Sequence, residues 1–477
     1  MTEAAVDTAA ESRDAFTRGW IVPGIIGAAM MMQTLSATVL SNALPTLARV
    51  MHEDPLRLNL AISMYILAAA IFLPVSGWAA DKFGAKRVFL TATILYALAS
   101  AACGFANNLT QLVAARFVQG IAGAMMLPVG RLVLLRTTPK AELVGAMSVL
   151  TMPALLGPVI GPLPGGAIVT FADWRWIFFM NLPIAAVGSV LIQRYVPNVA
   201  EQDAPPIDLI GIVLTGVGLA ALIFGFENLG RAFLPPLAVA GLFGFGLACL
   251  VAYGVYSRSN PHAILDLSLF RLQTFTASVV GGGFMRLAMG AMPFMLAMLL
   301  QIGFGMSAFQ AGAMTFISAA GALVMKTAAP PILRRFGFRR VLCVNAVITG
   351  VSFLAYALFK ADTPHYVIML ILLVGGFFRS LQFTSLNGLS YAEIEQHQMS
   401  RASTMSSMAQ QLTQSIGIGL AATLLHVFMV SHHQTHMTVD TISPAFLVIG
   451  GLTFLSLIFY VRLPDNAGDD MNGRVRS

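Results

Sequence analysis

Fourteen apolar stretches, each near the length of a helix that crosses a bilayer, follow one another between residues 20 and 463. Such a helix needs about 20 mostly apolar residues, because lipid offers its backbone no other hydrogen-bond partners. The stretches lie near 20–43, 59–80, 88–106, 111–135, 143–169, 176–196, 208–228, 236–257, 274–302, 310–332, 341–359, 364–388, 403–430 and 444–463. The pattern predicts an all-α polytopic membrane protein with 14 transmembrane helices. Only 10% of residues are charged, against about 25% in soluble domains. The net charge of +7 does not point to nucleic acid, since the basic residues sit in short turns between apolar runs.

An even number of spans places both termini on one side. About 18 Lys and Arg residues fall in the tails and loops of that side and about 5 in the opposite loops. Both termini are therefore expected in the cytoplasm. Residues 1–19 lack a basic segment followed by a short apolar core, so they read as a cytoplasmic tail rather than a secretory signal. The expected order is 6+2+6: a bundle at 20–196, a linker at 197–257 carrying two extra helices, a bundle at 258–463 and a polar tail at 464–477. The two linker spans contain few polar residues and read as a lipid-facing insertion. Cys103, Cys249 and Cys343 lie within apolar runs and read as small core residues, with no disulfide framework.

A charged turn, Gly77-Trp-Ala-Ala-Asp81-Lys82-Phe83-Gly84-Ala85-Lys86-Arg87, separates the second and third spans. A partial copy, Arg334-Arg-Phe-Gly337-Phe-Arg-Arg340, returns in the second half, with Arg334 where Asp81 stands in the first. Repeated turns suggest two related halves, a common build in transporters. The first turn resembles the cytoplasmic loop signature of the major facilitator superfamily. That resemblance implies two six-helix bundles around a central cavity that opens alternately to either side. Gly77, Asp81, Gly84, Lys86 and Arg87 would then govern the switch.

Polar residues inside the spans narrow the reading. In the first span Thr34, Thr38, Ser41 and Asn42 share a helix face. Interhelical hydrogen bonding and one wall of a polar cavity both account for this. The stretch resembles the first-span signature of fourteen-span drug:proton antiporters, except that Ser36 replaces the acid thought to carry the proton. In the fourth span Arg116, Gln119, Gly120 and Gly123 resemble the family's R-x-x-Q-G-x-x-G. An arginine so deep in an apolar run is functional or bonded to backbone carbonyls. Arg131 lies nearer the span end, where snorkelling is the alternative.

In the fifth span Gly157, Gly161 and Gly165 form a bare stripe, while Pro158, Pro162 and Pro164 bend the helix. With Gly166 they match the antiporter pattern G-x-x-x-G-P-x-x-G-G, which favours exporters over importers. Asp173 to Pro183 looks like the following junction of the same family.

The second half adds Arg286, Lys326 and Arg379 inside spans, and no Asp or Glu lies in any span interior. Buried cations without acids suit a substrate bearing a carboxylate or phosphate. They also suit side chains turned to carbonyls or to the interface. Gln382 and Asn387 are further hydrogen-bonding candidates. The many methionines suit a site that repacks around varied ligands, or lipid-facing filler. His432, His433 and His436 occupy an outward loop that reads as solvated rather than metal-binding. No Walker loop and no nucleophile–base pair stands out, so neither an enzyme nor a cofactor is indicated.

The combined resemblance implies a proton-coupled exporter of amphipathic small molecules, monomeric in the lipid bilayer of a bacterial inner membrane, with no nucleic-acid partner and no metal. Ser36, Thr38, Asn42, Arg116, Gln119, Arg286, Lys326 and Arg379 are its substrate and coupling candidates. The switch candidates extend to Gly157, Gly161, Pro162, Gly165 and Gly166. The cation-rich interior leaves export of a di- or tricarboxylate as the alternative. With Ser36 in place of the acid, Lys326, a substrate carboxylate or no group at all would carry the proton.

Overall fold

Apolar runs of this length fold as helices because each satisfies its backbone locally, and the computed structural model is helical throughout, with no strand among the described residues. Those residues are 20–51, 58, 60–160, 168, 172–198, 206–229, 234–260, 263–306, 308–434 and 437–472. In chain order the helices are α1 Val22–Met51, α2 Leu60–Phe72, α3 Val75–Phe83, α4 Ala85–Gly104, α5 Leu109–Thr137, α6 Leu143–Ile160 and α7 Trp176–Tyr195. They continue with α8 Leu209–Asn228, α9 Pro236–Ser259, α10 Gln273–Gly303, α11 Ala308–Phe336, α12 Phe338–Tyr356, α13 His365–Leu389, α14 Met399–Ser431 and α15 Val439–Thr453. Among the described residues 11 helices are long and apolar enough to cross a membrane, or 12 if the bent pair α2–α3 is one span. Part of the expected 143–169 span, with Gly161, Pro162, Gly165 and Gly166, lies outside the described residues.

The expected span at 59–80 is bent rather than straight, by 57° between α2 and α3. Pro74 explains the break, since it has no N–H and its ring collides with the preceding turn. The Leu73 carbonyl accepts from the Ser76 N–H at 3.2 Å and from the Ser76 hydroxyl at 2.7 Å, which fixes the turn into α3.

After α3 the chain turns at Gly84, whose φ of 88° is open to glycine and strained for other residues. Gly84 donates to Ala80 and accepts from Val88, so one residue closes α3 and opens α4. Gly337 repeats this between α11 and α12, with φ of 75°, donating to Leu333 and accepting from Val341.

The chain forms two compact units. One comprises Met1–Ala220, Val255–Asp266 and Glu395–Ser407; the other comprises Ala221–Gly254, Leu267–Ile394 and Met408–Ser477. In the first, α1 packs on α6, and α5 packs on α2, α3 and α4. In the second, α13 packs on α11 and α12, and α15 packs on α10 and α12. On α4, Phe89, Ala92, Tyr96, Ala99 and Cys103 are buried at helical spacing while Ile94 and Leu98 are exposed. Apolar side chains on both faces are what a helix between protein and lipid requires.

Candidate functional site

The first unit has a buried polar centre built on α1, α2 and α5. Arg116 is 1% exposed. Its Nε donates to the Ala61 carbonyl at 3.2 Å and its Nη1 to Gln119 Oε1 at 2.6 Å. The guanidinium also lies over the Tyr65 ring, 4.4 Å from its centroid. The Tyr65 hydroxyl in turn accepts from Gln33 Nε2 at 2.8 Å. Gln33, Tyr65, Arg116 and Gln119 thus form one continuous polar chain through three helices. Arg116 is thus bonded to a backbone carbonyl, one of the two readings open for it, and is also joined to side chains of the cluster.

Ser36 is buried beside Tyr96. The side chains of Thr38 and Asn42 lie outside the described residues. Arg131 is 2% exposed, and its Nε and Nη1 have no hydrogen-bond partner among the described residues. Tyr65 was invisible to sequence reasoning, because nothing in its apolar surroundings marks it.

In the second unit each of the three expected cations meets polar atoms. Arg286 Nη1 donates to the Ser278 carbonyl at 2.8 Å. Lys326 is buried on α11, and its Nζ donates to Thr384 Oγ1 of α13 at 2.8 Å. The same ammonium lies 5.6 Å from the centroid of the Phe383 ring. Arg379 donates to the Tyr356 hydroxyl at 3.0 Å and also to the Ser318 hydroxyl. Gln382 is engaged with Asn345, whose Nδ2 donates to its Oε1 at 2.7 Å. Arg286, Lys326 and Arg379 are therefore held at three different polar contacts rather than gathered on one common partner. Among the described residues no three His, Cys, Asp or Glu side chains gather as metal ligands, and His436 lies outside that set.

The charged turn is organised around Asp81, which is 7% exposed. Arg136, in the last turn of α5, donates to its Oδ1 at 2.7 Å. Ser400 hydrogen-bonds the same carboxylate and Arg401 attracts it. Gly77 permits this approach: a Cβ there would fall 2.6 Å from Thr404 Oγ1 and 2.7 Å from Ser400 Oγ. Lys86 donates to the Gln193 carbonyl at 2.7 Å, while Arg87 is exposed. Gly157 lies against Thr34 and the Leu35 backbone of α1. Neither Arg136 nor Ser400 was marked by the sequence, since their role exists only where α5 and α14 meet the turn.

Comparison with known proteins places this geometry. The Major Facilitator Superfamily profile matches residues 26–292 and 278–474. Over 442 residues the chain is 36% identical to the "Putative multidrug resistance protein MdtD" of Escherichia coli (strain SMS-3-5 / SECEC), covering 92% of each protein. The same figures hold for the protein of that name in Shigella flexneri. Among solved structures, the human organic anion transporter MFSD10 (TETRAN) aligns with a TM-score of 0.68 at 16% identity, over 92% of this chain and 98% of that one. The proton:xylose symporter XylE aligns with a TM-score of 0.66 at 14% identity, over 96% of this chain and 97% of that one. At such identities the likeness concerns the fold. The sequence match and the shared helical architecture together show that the chain belongs to the major facilitator superfamily.

Proposed function

We propose that this protein is a secondary active exporter of amphipathic small molecules, of the multidrug type, that works by alternating access and is coupled to protons. In this reading it has fourteen spans in the order six, two, six, with both termini in the cytoplasm of a bacterial inner membrane. The observation that carries the reading is the Asp81–Arg136 pair, closed around Gly77 by Ser400 and Thr404. The pair joins α3 to α5, and Ser400 and Arg401 reach it from α14; in this reading those contacts from α14 are remade when the protein changes state. The relatives named for multidrug resistance supply the substrate class.

With Ser36 in the first span, the proton needs another carrier. Lys326 has the properties of one, since it is buried, titratable and bonded to a neutral hydroxyl rather than locked to an acid. The test uses purified protein in liposomes that enclose a pH-sensitive dye. Ethidium, added with and without an imposed pH gradient, should drive proton movement. Lys326→Gln should abolish that movement while leaving downhill ethidium exchange. Proton release by Lys326→Gln at the wild-type rate would exclude Lys326 as carrier. Tricarboxylate flux in place of ethidium flux would replace the drug-export reading itself.

A further inference from the structure

Asp208 precedes α8, a helix that the polar centre and the charged turn do not use. It is nevertheless 7% exposed, and both of its carboxylate oxygens are engaged. Oδ1 accepts from the Gly211 N–H at 2.8 Å, the contact of an N-cap residue with the third position of its helix. Oδ1 also accepts from the Tyr256 hydroxyl, near the end of α9, at 2.7 Å. Oδ2 accepts from the Ile264 N–H at 3.0 Å. Asn260 Nδ2 completes the cluster by donating to the Tyr256 hydroxyl at 2.6 Å.

One carboxylate therefore joins the start of α8, the end of α9 and the chain that follows α9. Capping alone would need only the first of these contacts. The same stretch and the Asp81 turn line one small cavity: its lining includes Pro206, Asp208, Ala263 and Ile264 together with Asp81 and Ser400. All of these residues lie within the first unit.

We infer that Asp208 is a positioning residue, which gathers the ends of the two linker helices into a clasp over the Asp81 turn and so supports the switch. An insertion that did nothing but face lipid would not need a buried carboxylate tied to three chain segments. The transport role of the clasp rests on the reading of the Asp81 turn given above.

The test uses full-length protein in which Cys103, Cys249 and Cys343 are alanine and Ala263, itself 6% exposed, is replaced by cysteine. A water-soluble maleimide then reports how often the clasp opens. Asp208→Asn keeps the side-chain shape but sets an amide against the Ile264 N–H. Tyr256→Phe removes a single oxygen atom and guards against a folding artefact. Both should raise the labelling rate about 10-fold, the factor expected when an opening equilibrium loses one hydrogen bond to a charged group.

Asp208→Asn should also lower maximal ethidium flux with its half-saturation concentration unchanged, a split that a general loss of folded protein or of substrate affinity does not give. Unchanged labelling in both variants overturns the inference. Faster labelling with wild-type flux overturns the positioning role. Normal flux in Asp81→Asn would remove the turn from the mechanism without touching the labelling result, so the two readings fail separately. Should the wild type move no ethidium, the transport role falls with the drug-export reading, and labelling judges the clasp by itself.

Discussion

Asp81 and Arg136 meet at 2.7 Å with their side chains 10% and 5% exposed. Water screens such a pair little. Asparagine keeps the hydrogen bond but not the charge, and hydrogen bonds to charged groups contribute about 1.5–3 kcal/mol against about 1 for neutral ones. We expect Asp81→Asn to lower ethidium flux about 10-fold at unchanged abundance in the membrane, measured by quantitative blotting beside the transport assay. Flux equal to wild type would show that the pair is dispensable.

Arg116 calls for a different substitution, because its fork serves two acceptors at once. Lysine has no fork, so Arg116→Lys should satisfy one acceptor and leave the other unmet at a cost of about 1–3 kcal/mol. The expected result is lower flux together with a lower melting temperature, read by fluorescence on purified protein. At this scale the sequence showed that Arg116 and Asp81 were unusual, but not which atoms they would face. Tyr65 and Arg136 are ordinary residues for their surroundings, and only the folded chain brings them to those partners.

The repeated turn is the element whose geometry was most legible. Glycine at 84 and 337 foretold a turn, and both positions have positive φ. The correspondence continues beyond the backbone. Lys86 donates to Gln193 O at the end of α7, and Arg339, in the matching position, donates to Val461 O at 2.9 Å, near the end of the last apolar run. Alanine at either glycine should cost about 1–3 kcal/mol, because a positive φ with the extended ψ found there is opposed by a Cβ. Gly84→Ala and Gly337→Ala should therefore each lower the melting temperature. Gly145→Ala, where an added Cβ meets nothing within 4 Å, should not. A melting temperature unmoved in both turn variants would mean that the turns relax to another conformation. The bend between α2 and α3 was less legible. Pro74 stands in the sequence, but whether a buried proline kinks, ends or merely tilts a helix depends on how the chain around it is held, and here the Leu73 carbonyl accepts from both the N–H and the hydroxyl of Ser76.

For the whole molecule the strongest expectation is orientation, argued from the uneven placement of Lys and Arg. A cysteine introduced at position 474, in a chain otherwise lacking cysteine, should react with an impermeant maleimide in inverted membrane vesicles and not in intact cells. Reaction in intact cells would reverse the assigned topology. The sequence by itself determined that this chain is helical, apolar on an unusual scale and built with a repeated turn. Each of these is local: a run of about 20 apolar residues satisfies its own backbone wherever it lies in the fold, and a glycine carries its conformational freedom with it. The tertiary structure decided the partners. Asp81 meets Arg136 and Ser400, Asp208 joins α8 to α9, and Lys326 rests on Thr384, because these contacts form between faces of different helices. Which faces meet is settled by packing over the whole bundle, and the spacing of residues along one helix carries no record of it.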